Sequence, residues 1–180
     1  RQVSSVLWAT AALGRGPPAG DAGGDAWVLR MADGARRLFF ERGMGPQAFA
    51  NTLWALATLR VHPGDDWLGA FFEASAPHLG RFDAREMATA LWALAALRRR
   101  GRRHAAHGQA DDGLLFQGPS GRPSPLFQGW LTAALRSFGA RMATAGPQAL
   151  SNTAWALAAL GVRPPRTWMS AFRYYSALYG

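Results

Sequence analysis

The 180-residue chain contains no cysteine, and all 20 of its basic side chains are arginine, so it has no lysine either. Without cysteine there are no disulfide scaffolds, no thiolate zinc sites and no thiol nucleophiles, and the redox compartment stays open because there is nothing to oxidise. Without lysine the chain lacks the amine that phosphate-binding P-loops, Schiff-base enzymes and kinase-type ATP sites require. Long apolar runs are also missing. The longest are about a dozen residues, short of the ~20 that cross a bilayer, so neither a transmembrane helix nor a membrane partner is expected. No targeting segment is expected in residues 1–180, since residue 1 already lies in a patterned stretch, and the sequence is expected to be a piece of something longer.

Acidic residues become scarce towards the C-terminus. Residues 1–97 hold nine arginines and nine acids, whereas residues 98–180 hold eleven arginines and two acids, so the whole net charge of +9 sits in the second half. A strongly cationic half favours a polyanion such as nucleic acid.

The chain does have an internal repeat. Leu53-Trp54-Ala55-Leu56-Ala57, Leu91-Trp92-Ala93-Leu94-Ala95 and Ala154-Trp155-Ala156-Leu157-Ala158 are one motif, with a weaker copy at Leu7-Trp8-Ala9-Thr10-Ala11. A second tryptophan follows each copy, at Trp27, Trp67, Trp130 and Trp168, which accounts for all eight. Trp54 to Trp92 is 38 residues, and the two tryptophans of a unit lie 13 apart in the second and fourth copies. Every departure from that spacing falls in a Gly-, Pro- and Arg-rich stretch, as loops inserted into stacked repeats do. The units run over about 1–45, 46–83, 84–146 and 147–180 of a single 1–180 domain.

Aligned on the first tryptophan of each unit, the columns five before (Val3, Phe49, Met87, Leu150), one before (Leu7, Leu53, Leu91, Ala154) and five after (Leu13, Leu59, Leu97, Leu160) share one side of a 3.6-residue helix. Gly45-Pro46-Gln47 and Gly146-Pro147-Gln148 give a turn followed by proline at the helix start, and Gly14 or Gly161 gives the stop. A Pro-rich turn then leads into a second, tryptophan-led helix. Alanine, 36 residues in all, permits close helix approach. The predicted fold class is all-α: an α-solenoid of four paired-helix repeats of about 38 residues. One insertion interrupts it over about 98–125, basic at first and then rich in Gly, Pro and Ser, and is expected to be disordered.

Pro46-Gln47-Ala48-Phe49-Ala50-Asn51-Thr52-Leu53-Trp54-Ala55-Leu56-Ala57-Thr58-Leu59, its counterpart Pro147 to Leu160, the 38-residue period and Pro164-Pro165-Arg166-Thr167-Trp168 resemble the octotricopeptide repeat family. The resemblance covers nearly the whole chain outside the insertion. It implies paired-helix repeats that bind single-stranded RNA in the chloroplast or mitochondrion and control stability, processing or translation of organellar transcripts, with other organellar expression factors as partners.

Opposite the leucine stripe, the column three before the tryptophan reads Ser5, Asn51, Thr89 and Asn152, and the column seven before reads Arg1, Gln47, Arg85 and Gln148. Amide, hydroxyl and guanidinium groups repeated once per hairpin suit hydrogen bonding to unpaired base edges. The same groups also suit a solvated face, or bonds within the turns. Arg98, Arg99, Arg100, Arg102 and Arg103 form a block suited to gripping phosphates. The tryptophans invite a stacking role, but their recurrence beside Ala and Leu points to packing inside the core and between repeats. No catalytic residue, cofactor or metal site is expected: His104 and His107 lie in the insertion with only Asp111 and Asp112 nearby. The rival to RNA binding is a protein-interaction scaffold, since helical solenoids bind proteins equally well. A third possibility is a decaying fragment with no activity of its own. Four units reading about one base each specify about four nucleotides, so further repeats or a partner are expected.

Overall fold

The computed structural model describes residues 2–14, 22–40, 44–105 and 123–179. Among these residues there are eight α-helices and no strand: α1 Gln2–Ala12, α2 Ala22–Arg37, α3 Pro46–Leu59, α4 Asp65–Ser75, α5 Ala84–Ala105, α6 Pro125–Gly139, α7 Pro147–Leu160 and α8 Arg166–Ala177. Odd-numbered helices carry the Leu-Trp-Ala motif and even-numbered helices the second tryptophan. Helix α1 packs on α3, α3 on α5 and α5 on α7, while α2 packs on α4, α4 on α6 and α6 on α8. Each odd helix also touches the even helix that follows it. The two rows enclose one core between them.

The odd row is built on the columns read from the sequence. Leu7, Leu53 and Leu91 are fully buried, as are Phe49, Met87 and Leu150, and Ala11, Ala57 and Ala95 are small enough to let the next helix approach closely. Leu13 departs from the expectation and is exposed. Helix α1 has ended at Ala12, and Gly14 turns the chain with φ of 60°, so Leu13 no longer follows the helical stripe.

Helix starts and stops account for most of the boundaries. Pro46 and Pro147 occupy the first helical position after Gly45 and Gly146, where the missing N–H costs nothing. Helix α5 begins differently, with a reciprocal cap: the Glu86 N–H donates to Asp83 Oδ1 (2.7 Å) and the Asp83 N–H donates to Glu86 Oε2 (2.9 Å). Helices α3 and α7 stop with a left-handed residue, Arg60 (φ 66°) and Gly161 (φ 66°). The N–H groups of Val61 and Val162 then reach back to the Leu56 and Leu157 carbonyls, and the side chain of Val61 is buried. This pairing of a left-handed residue with a following apolar one satisfies the orphan carbonyls of the last turn.

At the equivalent position the third unit has Arg98, with no glycine stop. The expected disordered insertion over 98–125 is therefore corrected at its beginning: α5 continues without a break to Ala105, and α6 starts at Pro125. Arginine is a good helix former, and cations near a helix C-terminus complement its dipole. The rest of the insertion, 106–122, lies outside the described residues.

In the even row, three of the four tryptophans anchor to the even helix before them. The Trp67 indole N–H donates to the Ala32 carbonyl (2.8 Å), that of Trp130 to Ser75 Oγ (2.8 Å) and that of Trp168 to the Leu135 carbonyl (3.0 Å). Trp67 stacks on Phe71 with centroids 5.9 Å apart, and Phe72 lies 5.2 Å from Trp130. These rings form a continuous aromatic core.

Candidate nucleic-acid interface

A helix turns about 100° per residue, so positions seven and three before the tryptophan, the tryptophan itself and the fourth after it fall within about 60° of one another. The leucine columns lie on the other side. In α3 this outer stripe is Gln47, Asn51, Trp54 and Thr58, and in α5 it is Arg85, Thr89, Trp92 and Ala96, continued by Arg99. Gln148, Asn152 and Trp155 repeat it in α7, and Ser5 and Trp8 in α1. Because the odd helices pack in series, these columns run across four helices in register.

Gln47, Arg85 and Gln148 are exposed, as is Ser5, while Asn51, Thr89 and Asn152 are half-buried. Among the described residues, Asn51, Thr89 and Asn152 have no hydrogen-bond partner. Thr52, next to Asn51, contrasts with them: it is buried and its hydroxyl donates to the Ala48 carbonyl at 2.8 Å. Asn51, Thr89 and Asn152 are thus left with their side-chain hydrogen-bonding capacity unspent, whereas Ser5 of the same column has a partner.

The tryptophans are graded in burial: Trp27, Trp54, Trp92 and Trp168 are half-buried and pack against the core, so the expectation of packing inside the core and between repeats holds for most of them, while Trp8 and Trp155 stand largely outside it. Trp67 and Trp130 are 2% and 3% exposed, whereas Trp8 and Trp155 are 45% and 37% exposed and Trp54 and Trp92 are half-buried. The odd-row rings pair: Trp8 with Trp54 (6.3 Å, tilted 36°) and Trp92 with Trp155 (6.1 Å, tilted 35°). They share a face with the polar column, a placement that the same angular arithmetic already implied.

The arginine block also divides. Arg98 is half-buried, and its Nη1 donates to the Leu160 carbonyl, covering the end of α7. One residue on, Arg99 is exposed and lays its guanidinium over the Trp155 ring, 5.7 Å from the centroid. Arg100, Arg102 and Arg103 belong to the last turns of α5, and their side chains lie outside the described residues, as does Arg1. Near the start of the same helix, burial pushes the Glu86 carboxyl above its ordinary range, against the opposing effect of its bond from the Asp83 N–H.

Beyond α7 and α8 the apolar surface continues. Ala154, Ala158, Trp168, Met169 and Phe172 contribute to a cleft of about 430 Å³. In the first three units the residues corresponding to Ala154 and Ala158 are buried. No described helix is long and apolar enough to cross a membrane.

Neither the curated proteins nor the solved structures contain a match to this chain. Residues 1–107, covering α1 to α5 and three of the four odd-row tryptophans, match the family described as "Tbc2 translation factor, N-terminal domain". With more than half of its length matched, the chain belongs to the Tbc2 translation factor N-terminal domain family.

Proposed function

We propose that this chain is a solenoid of octotricopeptide-type repeats that binds single-stranded RNA and acts in organellar post-transcriptional regulation, at the level of translation. One observation carries the reading: half-buried Asn51, Thr89 and Asn152, without partners among the described residues, recur in register on helices packed in series. Side chains with unspent hydrogen-bonding capacity, spaced once per hairpin, suit an unpaired strand laid across the row. The +9 charge adds a term that grips phosphates without reading sequence. Membership of a translation-factor family supports the assignment to translation, and the resemblance to octotricopeptide repeats supports a chloroplast or mitochondrial setting, with other expression factors as partners. No catalytic role is assigned to any residue.

The test is binding to a random single-stranded RNA pool and to matched duplex RNA at two salt concentrations. An enriched short motif, with binding weakened about tenfold by Asn51→Ala plus Asn152→Ala, is the expected result. Because neither amide has a partner among the described residues, the double variant should melt with the wild type. A fall in Tm would instead identify the two amides as structural. No binding to RNA at low salt ends this reading.

A protein-interaction scaffold is the second reading, and the cleft beside α7 and α8 favours it. Its occupant would be another helical hairpin of the same pattern, since in the first three units the corresponding alanine and leucine positions are covered. Loss of a concentration-dependent self-association on Ala154→Glu would support it.

A further inference from the structure

We propose that the paired odd-row tryptophans, Trp8 with Trp54 and Trp92 with Trp155, are stacking platforms for the unpaired bases of single-stranded RNA, with Arg99 paired to the adjoining phosphate. This rests on the RNA-binding reading and assigns the second half of the contact, the base face rather than the base edge.

Three independent observations lead here. Firstly, Trp8 and Trp155 lie outside the core, and their partners Trp54 and Trp92 pack against it with only part of their surface. Leucine and alanine fill the inward side of each odd helix, and the tryptophans stand on the opposite side at up to 45% exposure. An indole held partly in water, four times in register, is costly unless something covers it. Secondly, the indole N–H groups behave differently in the two rows. Trp67, Trp130 and Trp168 donate to the preceding even helix, whereas Trp8, Trp54, Trp92 and Trp155, like Trp27 at the start of the even row, have no acceptor among the described residues, and the N–H groups of half-buried Trp54 and Trp92 are not sealed from solvent. Thirdly, a cation already lies against one of these rings. The Arg99 guanidinium sits 5.7 Å from the Trp155 centroid, and no carboxylate among the described residues pairs with it.

The geometry defines the ligand. At 6.1 and 6.3 Å between centroids, the two rings of a pair touch, which leaves no slot between them; a base stacks on the outward face of the pair, and at Trp155 it takes the place of the Arg99 guanidinium, which swings to the adjoining phosphate. Asn51 precedes Trp54 and Asn152 precedes Trp155 by three residues, about 4.5 Å along the helix axis, so an amide lies beside the edge of any base resting on the indole. Stacking tolerates any base because every base has a π-face, while the amide or hydroxyl column discriminates between edges. Bases locked in a duplex offer neither a free face nor a Watson–Crick edge, so single strands are selected. Charge complementarity points the same way: Arg99 lies in the half of the chain that carries the whole net charge.

The experiment compares wild type, Trp155→Leu, Trp155→Phe and Arg99→Gln for binding to a single-stranded 12-nucleotide oligouridine and for photocrosslinking to the same oligomer carrying 5-iodouridine. Trp155→Leu should weaken binding about tenfold with an unchanged salt slope, and Trp155→Phe should retain most of the affinity because it keeps a ring. Arg99→Gln should reduce the salt slope by about 0.7, the equivalent of one phosphate. Crosslinks should fall on peptides containing Trp8, Trp54, Trp92 or Trp155. Melting curves of both Trp155 variants control for folding. If wild-type RNA binding persists in Trp155→Leu with crosslinks elsewhere, the stacking proposal is overturned and the RNA reading stands. If wild type binds no RNA, both fail together.

Discussion

The indole N–H of Trp130 donates to the hydroxyl of Ser75 at 2.8 Å, and that hydroxyl in turn donates to the Phe71 carbonyl at 2.6 Å. Both side chains are buried, so this short relay joins α6 to α4 where water cannot substitute. Ser75→Ala strands a buried indole donor and should lower stability by about 2 kcal/mol. Chemical denaturation of the two proteins measures it, and an unchanged midpoint would mean that the relay contributes nothing.

Arg60 and Gly161 perform the same turn with the same backbone angle, yet only one of them is glycine. An L-residue held left-handed costs roughly 1 kcal/mol relative to glycine. Arg60→Gly should therefore stabilise the chain by up to about 1 kcal/mol, and Gly161→Ala should destabilise it by about 1 kcal/mol. The pair of opposite shifts in denaturation midpoint is the check, and shifts of one sign would contradict it.

Burial raises the folded-state pKa of Glu86 above its ordinary value of 4.5. For a carboxyl with a raised pKa the sign is fixed: its favourable contribution is complete below 4.5 and is lost as pH climbs through the raised value. Glu86→Gln removes the charge and keeps an acceptor for the Asp83 N–H. Its Tm relative to wild type should rise between pH 4 and pH 7, whereas a constant difference would show that the charge is fully solvated.

Neighbouring arginines should respond unequally to truncation. Arg98→Ala removes a charge-assisted cap on the Leu160 carbonyl and should cost about 1–2 kcal/mol of stability. Arg99→Ala loses only an exposed ring contact, with an effect on stability under about 1 kcal/mol. Thermal melts of the two single variants, side by side, distinguish a residue that holds α7 from one left available to a ligand.

Much of the candidate site could be read without coordinates. Asn51, Thr89 and Asn152 fell opposite the leucine stripe by helical arithmetic alone, α3 and α7 start at the prolines that follow Gly45 and Gly146, and α7 ends at the expected Gly161, whereas α3 makes the same stop at Arg60 with no glycine to announce it. The exposed tryptophans were within reach of the same arithmetic, since they lie nearly in line with Gln47 and Gln148. Hydrophobicity argued for burial instead, and a residue's apolar character says nothing about which of two faces it takes. The separation of Arg98 from Arg99 could not be read at all. Successive helical residues point about 100° apart, and only the position of the α7 terminus decides which of the two meets a carbonyl.

What the sequence determined by itself is local and periodic: helices, because apolar residues recur at 3.6; pairs of them, because the turn signals alternate; and a 38-residue spacing, because the motif returns. What the tertiary structure decided is where each polar group finds its partner. The indole N–H groups of Trp67 and Trp168 end on main-chain carbonyls 35 and 33 residues away, acceptors that every residue carries and that no side-chain pattern can mark. The odd-row indoles find none among the described residues, because series packing turns their face outward.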